Sequence, residues 1–173
     1  MADAIALGGV RLCQKSLKAA TKDGSNLEAR GNMLKAAMMG AVAFQKGLGA
    51  CHSLAHPLSV EFKMHHGLAN ALCLPAVLDF NRVAVPDRIA EVARQLGVRG
   101  DDESTLSFEC AGAVRALRKA IGLPSNLRSQ GITEENLPRL AALAFADSCH
   151  QLNPRKCSEE DMLALYKASM DDG

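Results

Sequence analysis

Hydrophobic positions recur along most of the chain at three- and four-residue spacing, the mark of helices that bury one face. Over 3–21, Leu7, Val10, Cys13, Leu17 and Ala20 share such a face, and Asp23-Gly24 ends the run. Ser25-Asn26-Leu27-Glu28 reads as a capping box, in which the serine oxygen accepts the amide of Glu28 and the glutamate reaches back. It predicts a second helix to about Gln45, dense in small residues (Ala36, Ala37, Gly40, Ala41, Ala43) that let neighbouring backbones approach; Gly47 and Gly49 end it. A third helix is predicted from near Ala50 to about Val60, and a fourth from about His66 to Phe80. Pro57 and Pro75 fall inside these two, where a missing N–H and a ring clash predict a break or kink. Pro86-Asp87 opens a fifth helix that ends at Leu96-Gly97, with Ile89, Val92, Ala93 and Leu96 on one face. Ser104 caps a sixth, with Leu106, Cys110, Val114, Leu117 and Ile121 inward; Gly122 closes it and Pro124 follows. Thr133 caps a seventh through about Ala146, and Ser158-Glu159-Glu160-Asp161 opens the last as a second capping box. The pattern predicts an all-α fold: a single domain of roughly eight helices, with no strand, internal repeat or interior linker.

Composition agrees and narrows the function. A chain of 173 residues suits one domain with a real core. With 48% apolar and 23% charged residues, disorder is excluded for most of it. A net charge of +1 argues against nucleic acid or a polybasic membrane patch as partner, and with no Trp and one Tyr there is little to stack bases on. The longest uncharged runs, 47–60 and 64–78, are too short to span a bilayer. MADAIALGGVRL lacks the basic stretch of a signal peptide, so a cytoplasmic location is expected. The six cysteines, at 13, 51, 73, 110, 149 and 157, form no C-x-x-C and read as reduced thiols rather than a disulfide frame.

The candidate chemistry lies in four of the five histidines, His52, His56, His65 and His66. His52 and His56 are four apart and share a helical face; His65-His66-Gly67 sits where the chain turns back into the next helix. Imidazoles so placed hold one metal ion, or one of them holds it while another hydrogen-bonds. Imidazole suits Zn, Fe, Ni and Cu alike, so ligand type does not choose the metal. On spacing alone the other reading stays open: hydrogen-bonded core or surface histidines with no ion. A catalytic metal wants three protein ligands or more, and the nearby carboxylates Glu61 and Asp79 are not obviously placed to join. No G-x-S-x-G, P-loop or H-E-x-x-H is present. Gly47-Leu48-Gly49 follows a helix and lacks the third glycine, so it is a helix end and not a dinucleotide fingerprint.

The stretch FQKGLGACHSLAHPLSVEFKMHHGLANALCLPAVLDFN, 44–81, closely resembles the metal-ligand signature of iron-containing (group III) alcohol dehydrogenases. The order is GLG, then H-x-x-x-H-P-L, then H-G-x-x-N-A, then L-P and F-N. The resemblance extends more weakly over the whole chain, through DGSNLEAR and LNPRKCSEEDMLALYKASM. It implies the C-terminal helical metal-binding domain, 1–173, of an enzyme that interconverts alcohols with aldehydes or ketones using NAD(P) and a divalent metal, Fe or alternatively Zn. The two signature ligands map to His52 and His66. His56 matches a histidine beside the metal, a candidate for proton relay or for orienting substrate. Phe44 lies near the family's substrate pocket, and no role carries over to His65. The family's other two ligands come from an upstream D-x-x-x-H helix, where Asp3 to Leu7 has Leu in place of the second. The expectation is therefore a C-terminal piece without its NAD(P)-binding α/β domain, inactive alone and weak in metal. The alternative is a stand-alone helical binding protein that keeps the fold without the chemistry. Loss of the cofactor domain would expose the cleft wall at Phe44, Leu48, His52, His56 and His66, and the expectation is self-association through it or disorder around 60–66.

Overall fold

The computed structural model describes residues 1–171. Among them are eight α-helices, four short 3₁₀ turns and no strand, which bears out the all-α expectation. The helices are α1 (Ala2–Lys22), α2 (Leu27–Ala43), α3 (Ala50–Phe62), α4 (His66–Asn81), α5 (Pro86–Gln95), α6 (Glu103–Ala120), α7 (Leu137–Ala146) and α8 (Glu159–Met170). None is long and apolar enough to cross a membrane. The chain sorts into two compact units, each built from two stretches: Met1–Gly47 with Pro86–Gly122, and Leu48–Val85 with Leu123 onward.

In the first unit α1 and α2 form an antiparallel hairpin, and α5 packs on α6 and α1. The small residues act as expected: a Cβ on Gly9 would stand 3.4 Å from the carbonyl oxygen of Ala36. Ser16, buried, accepts from the Asn32 amide at 3.0 Å and ties the two helices. The cap of α2 differs from expectation. Asn26, not Ser25, accepts the first free amide, that of Ala29, at 2.9 Å. Ser25 is drawn away because both its N–H and its hydroxyl donate to Asp23. Asp102 likewise displaces Ser104 as the cap of α6, taking both the amide and the hydroxyl of Thr105. In each case a nearby carboxylate or amide oxygen outcompetes a serine hydroxyl. One face of α2 remains apolar and exposed at Leu34, Met38 and Val42.

The second unit carries the larger core. Leu54, Leu58, Leu72, Leu137, Leu140, Met162, Tyr166 and Met170 are buried in a cluster where α3, α4, α7 and α8 meet. Tyr166 spends its only donor on the Leu54 carbonyl at 2.7 Å, so a wholly buried phenol is satisfied. Pro57 and Pro75 do not break α3 or α4, and both are buried. Packing of the rings into the core outweighs one missing N–H in each helix. The capping box at Ser158 forms as expected, with Asp161 accepting from the Ser158 amide at 2.9 Å and donating to its hydroxyl oxygen at 3.1 Å. The Thr133 box also forms, with Asn136 as its partner, but its first turn is 3₁₀ and α7 proper starts at Leu137.

Two local devices place α3 and α4. The first residue of α3 is capped from far along the chain: the Asn153 side-chain oxygen accepts the Ala50 amide at 3.2 Å. Gly49 suits the close approach there, because a Cβ would stand 3.0 Å from that same oxygen and push on it. At the other end Lys63 takes the left-handed conformation (φ 53°) and Met64 drops into the core. The Met64 amide returns to the Leu58 carbonyl at 3.3 Å, reversing the chain so that α4 begins only two residues later. Residues 60–66 are thus the last turn of α3, a three-residue reversal and the first residue of α4.

Candidate metal centre

His52 lies in the first turn of α3, His56 one turn on, and His66 is the first residue of α4. The reversal at Lys63 and Met64 brings all three rings together. Their centroids are 5.3 Å apart for His52 and His66, 5.4 Å for His56 and His66, and 6.0 Å for His52 and His56. At a metal–nitrogen distance of about 2.1 Å and tetrahedral angles, two imidazoles on one ion place their centroids about 5 Å apart. The donor chemistry and spacing of His52 and His66 therefore fit a shared divalent ion.

The His66 and His56 rings are held by different neighbours. The Asn70 amide donates to His66 Nε2 at 3.1 Å and to the His66 carbonyl at 3.0 Å. An amide NH₂ can only donate, so His66 Nε2 is unprotonated and accepts with its single lone pair, which a metal ion at that nitrogen would take over from Asn70. The Cys51 thiol donates to the Asn70 side-chain oxygen at 3.4 Å and keeps that amide oriented. Burial, reinforced by the neighbouring His66 and His56 rings, lowers the pKa of His52 and favours its neutral form. Burial also pushes the Cys51 thiol up to about 12, so it stays protonated.

His56 faces a carboxylate. Its Nδ1 stands 2.8 Å from Asp147, the residue that ends α7. Asp147 also accepts from the Ser53 hydroxyl at 2.8 Å and from the Cys149 amide at 2.8 Å. Burial opposes the charge on Asp147, but these donors, His56 first among them, outweigh it and hold the carboxyl well below the usual range. Ser53 in turn accepts from the His150 amide at 2.9 Å. His56, Asp147 and Cys149 bring three donor atoms within 4.8 Å of one another. Two ligands of one ion would stand about 3.4 Å apart, whereas His56 and Asp147 are at hydrogen-bond distance. The Cys149 thiol, pushed up to about 11 by burial and by Asp147, is also a poor ligand. This trio is a hydrogen-bonded cluster.

The remaining candidates each have their setting within their own unit. His65 is exposed and packs its ring over Gly67. Phe44 belongs to the first unit, exposed in a 3₁₀ turn at the end of α2. Glu61 pairs with Arg139 and Asp79 with Arg82, so neither joins the histidines. Sequence reasoning missed Asp147, Ser53, Asn70 and Asn153. Asn70, four residues after His66 on the same helix, was within reach of a spacing argument.

Residues 1–170 match the model of the Fe-containing alcohol dehydrogenase family, C-terminal. The chain belongs to the Fe-containing alcohol dehydrogenase family. Among similar family members is the 4-hydroxybutyrate dehydrogenase of Cupriavidus necator, 39% identical over 98% of this chain and 45% of that protein. Another is the 1,3-propanediol dehydrogenase of Klebsiella pneumoniae, 36% identical over 95% of this chain and 43% of that protein. The crystal structure of a 1,3-propanediol oxidoreductase matches with a TM-score of 0.95 and 34% identity, covering 98% of this chain and 45% of that one. The chain spans less than half the length of the relatives it matches.

Proposed function

We propose that this chain supplies the metal-holding, substrate-facing half of an NAD(P)-dependent alcohol dehydrogenase acting between alcohols and aldehydes or ketones. The observation that carries this is the convergence of His52, His56 and His66 at 5.3 to 6.0 Å in a member of this family. His52 and His66 are the two ligands the chain contributes to a divalent ion, Fe or alternatively Zn, since imidazole accepts both. When bound, that ion supplies Lewis-acid polarisation of the alcohol or carbonyl oxygen. His56, beside the pair and half-exposed, is the residue that orients substrate or carries a proton. Phe44 as a substrate contact, and self-association through the histidine-bearing face, belong to the same reading.

Calorimetric titration of the chain with Zn²⁺, and with Fe²⁺ under anaerobic conditions, tests it. Two imidazoles and no anionic ligand make a weak site, with affinity poorer than about micromolar (~8 kcal/mol). His52→Ala and His66→Ala should each abolish the binding, and His56→Ala should leave it nearly unchanged. Binding that survives both His52→Ala and His66→Ala overturns the assignment. Nicotinamide reduction with primary alcohols, followed by absorbance, should show no turnover by the 173 residues alone.

A further inference from the structure

The environment of His56 differs from that of its two neighbours. It is hydrogen-bonded to a carboxylate, and that carboxylate is built in. Asp147 is the residue after the last turn of α7 and caps the following 3₁₀ turn, Ser148–Leu152, through the Cys149 amide. One oxygen takes Ser53 and Cys149; the other takes His56 Nδ1. Ser53 is wholly buried and is itself fixed by the His150 amide, so the Ser53 hydroxyl and the Cys149 amide hold the carboxylate before the imidazole is considered. His56 Nδ1 and Asp147 have side chains 39% and 23% exposed, a rim position that keeps their hydrogen bond away from bulk water on one side only.

An ionised carboxylate only accepts, so the proton between the two residues belongs to Nδ1 of His56. A free neutral imidazole prefers its proton on Nε2; the Asp147 contact reverses that choice. Nε2 lies across the ring from Asp147 and is left with its lone pair, in a ring stacked at 5.4 Å and 19° against His66. We propose that Asp147, braced by Ser53 and the Cys149 amide, is a positioning residue that holds His56 in the Nδ1–H tautomer and leaves Nε2 as a hydrogen-bond acceptor. The functional meaning of the acceptor rests on the reading above: a lone pair there receives a hydroxyl hydrogen bond from an alcohol held at the His52–His66 pair, and the Nε2–H tautomer would offer a donor instead.

Long-range ¹H–¹⁵N correlation of the uniformly ¹⁵N-labelled chain reads the tautomer directly, with the His56 ring assigned by its loss in His56→Ala. Recorded at roughly pH 9, where neutral imidazoles are compared, the wild-type chain should show a protonated Nδ1 and an unprotonated Nε2 at His56. Asp147→Asn, whose amide can donate to Nδ1, should invert the pattern while the His65 signals stay unchanged. Ser53→Ala, which removes one brace and leaves the carboxylate, should give a mixture. A wild-type His56 protonated on Nε2, or an Asp147→Asn chain that keeps the wild-type pattern, overturns the proposal. The wild-type spectrum suffices even if a variant fails to fold. The metal reading fails separately, through titrations insensitive to His52 and His66, and leaves the tautomer result standing.

Discussion

Asn153 lies 103 residues from the α3 amide it caps, and its removal tests how the site is held up. Its side-chain oxygen accepts from Ala50 at 3.2 Å and from the Asn81 amide at 3.2 Å. Its own amide donates to the Asn81 oxygen at 2.7 Å and to the Arg155 carbonyl at 2.7 Å. Asn153→Ala removes all of these. The uncapped first turn of α3 costs about 1 kcal/mol. Asn81, itself buried, loses a donor and an acceptor partner together, which costs about 2 kcal/mol more. The sum of about 3 kcal/mol is a large share of the 5–15 kcal/mol that a typical domain has. The chain has one tyrosine and no tryptophan, and Tyr166 sits in the core of the same unit, so intrinsic fluorescence follows that unit's unfolding selectively. With a urea dependence of about 2 kcal/mol per molar, the midpoint should fall by about 1.5 M. The Ala50 amide should also exchange with solvent faster than in the wild-type chain. A midpoint shift under about 0.5 M, equivalent to 1 kcal/mol, would refute the view that Asn153 anchors the start of α3.

Two further outcomes follow from single residues of this unit. Lys63→Gly relieves a left-handed non-glycine residue and should raise the urea midpoint, read by Tyr166 fluorescence, by an amount worth up to about 1 kcal/mol. The phenol of Tyr166 is pushed up by burial, so its contribution to stability is complete below the ordinary tyrosine value near 10 and is lost above it, at about 1.4 kcal/mol per pH unit. Tyrosinate absorbance should therefore appear together with unfolding; a smooth titration near pH 10 in a folded chain would contradict the burial.

Helix number and approximate spans were readable because each helix carries its own periodicity, as in Ile89, Ala90 and Ala93 on the buried side of α5. Caps were less readable. Ser25 and Ser104 look like caps in isolation, and only the competing oxygens of Asp23 and Asp102 decide against them. Pro57 and Pro75 were misleading for another reason: local rules count the lost N–H, whereas both rings lie in the core and their helices run on. The histidine cluster was legible because its spacing is local, His52 to His56 within α3 and His66 across one turn. Asp147 was not, because nothing near it in sequence points to His56. An aspartate directly after the last apolar turn of a helix is the one local signal, and it marks a cap more readily than a histidine partner.

The distance along the chain between the imidazoles and their carboxylate also orders the assembly of the site. His52, His56 and His66 are joined by one reversal, and closing so short a loop is fast. Asp147 is 91 residues beyond His56, with α5, α6 and α7 between them. At a synthesis rate of about 5–20 residues per second, the carboxylate leaves the ribosome roughly 5–20 s after the ring it binds. During that interval α3 also lacks Asn153, and the core beneath it lacks α8. The nascent histidines therefore stand on an unfinished scaffold, and the last quarter of the chain brings the groups that fix them.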